Sequence, residues 1–152
     1  MDANSPDSRD ILPKGYTFHW YEIVSVLGRG AFGVTYLAKD KNLDRLVAVK
    51  EYFPIDFATR ETGYTVHPTQ GEHRDLYQWG LDRFIKEART LAKFKHTSIV
   101  QVLSVFEHNN TAYMIMEYEQ GSDLSRIFKS SQHQSQQHGY FHTLVLANGT
   151  GT

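Results

Sequence analysis

The chain has 152 residues, 40% of them hydrophobic and 13% aromatic, so it is long enough to bury one sizeable core. Its 16 basic and 17 acidic side chains leave a net charge of -1, which excludes an overall field that would attract nucleic acid or an anionic membrane. It contains no cysteine, which excludes disulfides and thiolate metal sites. The polar start and the lack of an apolar run of about 20 residues predict a cytoplasmic chain without a signal or membrane span.

The first part of the chain predicts a flexible leader followed by three strands. Residues 1–20 show no periodic pattern, and we expect them to be a loose leader. Apolar and β-branched residues then predict strands over residues 21–28, 33–40 and 46–53, separated by the glycine-rich stretch and by a polar turn. The order of these strands predicts an antiparallel meander.

A long insertion and one amphipathic helix follow the three strands. Residues 53–80 contain prolines and glycines without a clear period and predict an inserted loop. Apolar residues then recur at helical spacing from Leu81 to about Lys95. Glu87 falls on the apolar side of this helix, whereas Lys86, Arg89 and Lys93 fall on the solvated side. The spacing therefore predicts an inward-facing carboxylate.

Two further strands and a tail complete the predicted organisation. Residues 99–107 and 112–119 read as strands joined by a hairpin at Asn109 and Asn110. Ser122 is placed to cap a short helix, and residues 129–152 are low in complexity and predict a flexible tail. The predicted domains are a leader (1–20), a protein lobe (21–128, with the insertion at 53–80) and a low-complexity or truncated tail (129–152).

Three glycines, Gly28, Gly30 and Gly33, lie between the first two predicted strands. A dinucleotide-binding fold would need a helix to begin inside this motif and an acidic residue about 20 positions later, and neither is present. A glycine-rich hairpin between strands can instead bring backbone N–H groups close to phosphate oxygens, because no side chains intervene. Lys50, on the next strand, would then reach the same phosphates.

These features together resemble the N-terminal half of a protein kinase catalytic domain. The resemblance covers about residues 20–128, and "VAVKEYFP" and "FEHNNTAYMIMEYEQGSDL" are similar to bacterial serine/threonine kinases. It implies an α+β fold, with a five-stranded antiparallel sheet and one packed helix between flexible tails.

The resemblance also implies an ATP site. Lys50 would contact the α and β phosphates and pair with Glu87 as the catalytic lysine-glutamate pair. The glycine-rich turn would cover the phosphates, Leu27 and Ala48 would cover adenine, and Asp123 would contact ribose. Thr35 departs from the valine usual in the family. The implied cofactor-binding residues are Leu27, Gly28, Arg29, Gly30, Ala31, Phe32, Gly33, Thr35, Ala48, Lys50, Met116, Glu117, Tyr118 and Asp123.

The family's catalytic loop and D-F-G segment are not found. "HRDL" occurs at residues 73–76, but it precedes the helix that carries Glu87, and Gly80 stands where asparagine is expected. Asp56 and Phe57 are followed by alanine, and both stretches are assigned to the insertion. No metal ligand is predicted, because the histidines of the tail are irregularly spaced, so Mg²⁺ is expected only if a second lobe supplies its ligands.

Two functions stay open at this point. The first is an ATP-binding lobe of a serine/threonine kinase that cannot transfer phosphate alone. The second is a non-catalytic interaction module, or a degenerate kinase fragment, that binds no nucleotide. In that case the underside of the lobe would meet a protein partner or a second copy of the chain. Neither a nucleic acid nor a membrane is expected as a partner.

Overall fold

A computed structural model describes residues 10–119 of the chain. One antiparallel sheet organises this part, with its strands in the spatial order β1, β2, β3, β4, β8, β7. Their bounds are β1 (Thr17–Phe18), β2 (Tyr21–Gly30), β3 (Gly33–Asp40), β4 (Arg45–Tyr52), β7 (Val102–His108) and β8 (Thr111–Glu117). The predicted fold class is confirmed, but the sheet has six strands rather than five, because residues of the predicted leader add β1.

Alternation along the central strands separates two cores, since successive side chains of a strand point to opposite faces. The face towards the helix carries one core, here called the helix-facing core: Ala48, Tyr52, Phe53, Ala58, Val66, Tyr77, Leu81, Phe84, Ala88, Leu91, Val102, Ala112, Met114 and Met116. The opposite face carries the outer core: Leu12, Phe18, Tyr21, Ile23, Val34, Tyr36, Ala38, Val47, Val49, Tyr113 and Ile115.

The helix α1 (Arg74–Leu91) has 18 residues and follows a 3-10 turn at Gly71–His73. It begins before the predicted Leu81, because Tyr77 belongs to its buried face and Gly80 lies where Tyr52 packs against the helix. It ends at Leu91 instead of about Lys95. Most of the "HRDL" stretch therefore forms the first turn of α1 and does not belong to an inserted loop.

The insertion contains regular structure that the sequence did not predict. The strands β5 (Ala58–Arg60) and β6 (Val66–Pro68) pair to form a second, antiparallel sheet. Arg60 fastens this sheet to the outer face of the main one, since its Nη2 lies 2.6 Å from Oε1 of the fully buried Glu51. The hydroxyls of Tyr36 and Tyr113 donate to the same carboxylate at 3.1 and 2.6 Å.

Residues 10–20 pack against the outer face, although the sequence predicted a loose leader. Leu12 and Phe18 are buried in the outer core, and the Leu12 N–H donates to the Tyr36 hydroxyl at 3.1 Å. The Asp10 carbonyl accepts hydrogen bonds from Arg60. The outer face of the sheet thus binds the leader and, through Arg60, the insertion, whereas Ala58 and Val66 of the insertion belong to the helix-facing core.

The hairpin at Asn109 and Asn110 is confirmed. Both residues have positive φ angles, 55° and 60°, and His108 pairs with Thr111 across them. This is the backbone of the two-residue turn that asparagine favours. The short helix predicted after Ser122 and the tail over 129–152 lie outside the described residues. Between residues 10 and 119 no helix is both long and apolar enough to cross a membrane.

Candidate functional site

The glycine-rich turn joins β2 to β3 and extends beyond the end of β4. Gly30 pairs with Gly33, so Ala31 and Phe32 form the tip. The N–H of Phe53 donates to the carbonyl of Phe32 at 2.8 Å, and the N–H of Ile55 donates to the carbonyl of Ala31 at 2.9 Å. The tip is therefore tied to the chain that follows β4.

Two predicted side chains of this turn reach inward. Phe32 and Leu27 are partly buried and pack against the helix-facing core. Arg29 lies opposite Val34 in the same hairpin. The turn thus covers the helix-facing side of the sheet, where a ligand between the turn and the sheet would meet glycine backbone.

A row of directly paired residues crosses the sheet beneath the turn. Gly28 pairs with Thr35, Thr35 with Lys50, and Lys50 with Met114. Directly opposite residues of antiparallel strands project to the same face, with Cβ atoms about 5 Å apart. Thr35 and Lys50 are therefore side-chain neighbours on the helix-facing side, and Gly28 places no side chain beside them.

Lys50 and Glu87 are brought together on this face. Their exposed fractions are 4% and 3%, so both side chains are withdrawn from water. Burial lowers the pKa of Lys50, an effect opposed by the charge of Glu87. Burial likewise raises the pKa of Glu87 to about 8, against the charges of Arg83 and Lys50. The two groups interact electrostatically, and their role as a catalytic pair stays a prediction.

The carboxylate of Glu87 is not saturated with hydrogen bonds. Its Oε1 lies 4.0 Å from Nη2 of Arg83, one helical turn earlier, and accepts no hydrogen bond from the described residues. The buried hydroxyl of Thr35 also has no partner among them. The same face of the sheet therefore holds two buried polar groups with unused hydrogen-bonding capacity.

The residues predicted to contact a base lie beside this row. Ala48 pairs with Met116, and both belong to the helix-facing core. The chain leaves the sheet after Glu117, whose N–H donates to the carbonyl of Gln101 at 3.0 Å. Tyr118 follows, half-buried against the same core. Asp123, the predicted ribose contact, lies outside the described residues.

Two charged residues near the site were not predicted. Arg83 is one turn before Glu87 on α1, and the spacing of four residues was the signal that could have identified it. Glu51 follows Lys50 directly and projects to the opposite face between apolar residues. On β4, Glu51 is two residues after Val49 and four after Val47, so its side chain shares their buried face. An acidic residue at such a position could have indicated a buried ion pair.

Comparison with known proteins identifies the family. A model of the protein kinase domain matches residues 21–149, which is most of the chain. The chain belongs to the protein kinase family. Curated relatives include the serine/threonine-protein kinase PksC of Streptomyces coelicolor, 32% identical over 70% of this chain, and PknD of Chlamydia muridarum, 31% identical over 72%.

The match covers part of a kinase domain. The chain spans 17% of the length of PksC and 10% of the length of PknD. A solved structure titled "PpkA-294 apo form" superposes with a TM-score of 0.71 at 32% identity, and the match covers 85% of this chain and 53% of that one. The described residues are thus the kinase N-lobe, with the glycine-rich turn, Lys50 and Glu87 in one place.

Proposed function

We propose that this kinase chain binds ATP between the glycine-rich turn and the helix-facing side of the sheet. The observation that carries the proposal is that Lys50 and Glu87 are buried on the same face, below a turn free of large side chains at Gly28, Gly30 and Gly33. Burial disfavours the charged form of Lys50, and the charge of Glu87 offsets this only in part. The phosphates of ATP would add negative charge and hydrogen-bond acceptors next to the Lys50 ammonium.

The rest of the proposed site follows the resemblance. Leu27 and Ala48 would cover the base, and the backbone of residues 117–119 would hydrogen-bond its edge. Met116 would close the inner end of the base pocket, and Asp123 would contact ribose. The position of Ala48 and Met116 in adjacent strands supports this arrangement.

We further propose that these 152 residues alone transfer no phosphate. Kinases use an aspartate to orient the substrate hydroxyl, and an asparagine and a second aspartate to hold the metal. The sequence contains no aspartate after Asp123, and residues 10–119 contain no group of three metal-ligating side chains. Mg²⁺, which the family uses with ATP, would enter bound to the phosphates and find protein ligands only in a second lobe.

A titration of the purified chain with Mg-ATP tests the binding. Calorimetry and thermal shift should show saturable binding and a rise in melting temperature for the wild type, and neither effect for Lys50→Met. Lys86→Met is the matched control, because Lys86 is an exposed lysine on the solvent side of α1. Equal responses of the wild type and Lys50→Met would contradict the proposal.

A second candidate is an interaction module. An open groove of about 760 Å³ lies where the chain enters β7, lined in part by Leu103. Phe94, three residues after the end of α1, is also exposed, with 41% of its surface accessible to solvent. Concentration-dependent association by light scattering, combined with equal ATP responses of the wild type and Lys50→Met, would favour this function. The cytoplasmic location stays a prediction from the polar start of the sequence and its lack of a long apolar run.

A further inference from the structure

We infer that the hydroxyl of Thr35 donates a hydrogen bond to the bound nucleotide and so helps to set its affinity. The inference rests on the proposed ATP site, but it concerns a group that a kinase of this family usually lacks at this position. Three observations support the inference: the hydroxyl has no hydrogen-bond partner among the described residues, its neighbours include Lys50, and valine would fill the same position without a polar group.

The hydroxyl of Thr35 is buried without a partner. Thr35 has an exposed fraction of 0%, and its Oγ1 meets no hydrogen-bond partner among the described residues. Buried hydroxyls nearly always find a partner, because removing one from water without replacement is costly. Valine has almost the same shape and would avoid this cost. A threonine kept here is therefore explained if a ligand completes its hydrogen bond.

The neighbours of Thr35 place that ligand. Lys50 is directly opposite on β4, and Gly28 is directly opposite on β2. Gly28 places no side chain beside the hydroxyl, and another unpaired polar atom, Oε1 of Glu87, is on the same face. A ligand at this place must therefore accept a hydrogen bond from Thr35 and lie close to the Lys50 ammonium. In a nucleotide, the acceptor is a phosphate oxygen or an atom of the nucleoside.

Burial of Thr35 also means that the site must open before binding. Phe32, at the tip of the glycine-rich turn, packs inward and its backbone is tied to Phe53. The ligand would therefore displace this turn to reach the hydroxyl. The hydrogen bond is then made only in the bound state, where it contributes to affinity.

The test compares Thr35→Val with Thr35→Ser by calorimetry on the full chain. Thr35→Val should weaken Mg-ATP binding about 5- to 10-fold, the loss of one hydrogen bond. Thr35→Ser keeps the hydroxyl and should stay within about 3-fold of the wild type. The melting temperature of ligand-free Thr35→Val should equal or exceed that of the wild type, which would show that weaker binding does not come from unfolding.

Adenosine serves as a second probe in the same experiment. If the loss for Thr35→Val persists with adenosine, the acceptor is on the nucleoside; if it disappears, the acceptor is a phosphate oxygen. Either result supports the inference. Equal or tighter Mg-ATP binding by Thr35→Val, with binding to the wild type intact, would overturn the inference alone. Absence of binding to the wild type would overturn the proposed function as well.

Discussion

At the scale of single residues, the proposed ATP site contains two charged groups whose burial is unfavourable. Lys50 and Glu87 are both buried. Burial lowers the pKa of Lys50 and raises the pKa of Glu87, and both shifts favour the neutral form of the group. Such groups reduce the stability of the free protein and are retained at sites where a ligand uses them. The energetic cost should therefore be measurable in the absence of nucleotide.

The substitution Glu87→Gln tests this cost through pH. Because burial raises the pKa of Glu87 from 4.5 to about 8, the folded chain holds a proton that the unfolded chain releases between these values. The stability from this group is full below about pH 4.5 and is lost as the pH rises through 8. Glutamine does not titrate. The free energy of unfolding of Glu87→Gln should therefore rise by about 1 to 3 kcal/mol relative to that of the wild type as the pH increases from 5 to 8.

Urea unfolding at several pH values gives the measurement. Glu107→Gln is the control, because Glu107 is an exposed acidic residue on β7. The difference in unfolding free energy between Glu107→Gln and the wild type should not change with pH. Above pH 8, the lowered pKa of Lys50 makes the free energy of unfolding rise with pH, which is the opposite of the effect of Glu87. The comparison therefore ends at pH 8. A difference between Glu87→Gln and the wild type that is constant from pH 5 to 8 would show that the carboxylate is not held in its neutral form.

At the scale of elements, the contact between α1 and β4 depends on one glycine. A Cβ added to Gly80 would overlap the hydroxyl of Tyr52, which donates to the carbonyl of Tyr77 at 3.0 Å. Tyr52 is fully buried, so its ring has little room to move away. The close approach of helix and strand, which also positions Glu87 over the sheet, therefore requires a glycine.

Gly80→Ala should destabilise the chain by about 1 to 3 kcal/mol, as overpacking does. Helix propensity alone would give the opposite sign, because alanine is favoured over glycine by about 1 kcal/mol inside a helix. Urea denaturation measures the change. Gly71→Ala, where a Cβ would meet no atom within 4 Å, should shift stability by less than about 0.5 kcal/mol.

A double-mutant cycle identifies the clash as the cause. Tyr52→Phe removes the overlapping hydroxyl, so Gly80→Ala should cost less in that background than in the wild type. If Gly80→Ala stabilises the chain, or costs the same in both backgrounds, the helix does not depend on this glycine for its approach to the sheet.

At the scale of the whole molecule, the chain has a kinase N-lobe, for which we propose nucleotide binding, but only part of a kinase domain. It covers 53% of the solved PpkA chain and 17% of PksC. ATP binding and phosphoryl transfer are separable functions, because the second needs charged groups on both sides of the phosphates.

An assay with labelled ATP and a generic protein substrate tests this separation. The 152-residue chain should incorporate no more label than Lys50→Met, at least about 10³-fold below the turnover of about 1 to 100 per second that kinases reach. Label incorporated by the wild type and lost in Lys50→Met would show that the chain does transfer phosphate and would contradict the proposal.

The features that could be predicted from the sequence are those that depend on residues close together in the chain. The alternation of β3 and β4 placed Lys50 on one face, and the helical period placed Glu87 on the inward side of α1. Asn109 and Asn110 specified the hairpin. These features follow from backbone periods of 2 and 3.6 residues, or from turn preferences, which act over a few residues.

The packing of segments that are far apart in the sequence became apparent only in the folded chain. The early start of α1 depends on Tyr52 packing under Gly80, and residues 10–20 are fixed because the outer core offers apolar surface to Leu12 and Phe18. The hairpin in the insertion is held by Arg60 on Glu51. Burial and ion pairing between residues far apart in the chain supply these free energies, so no local period reveals them.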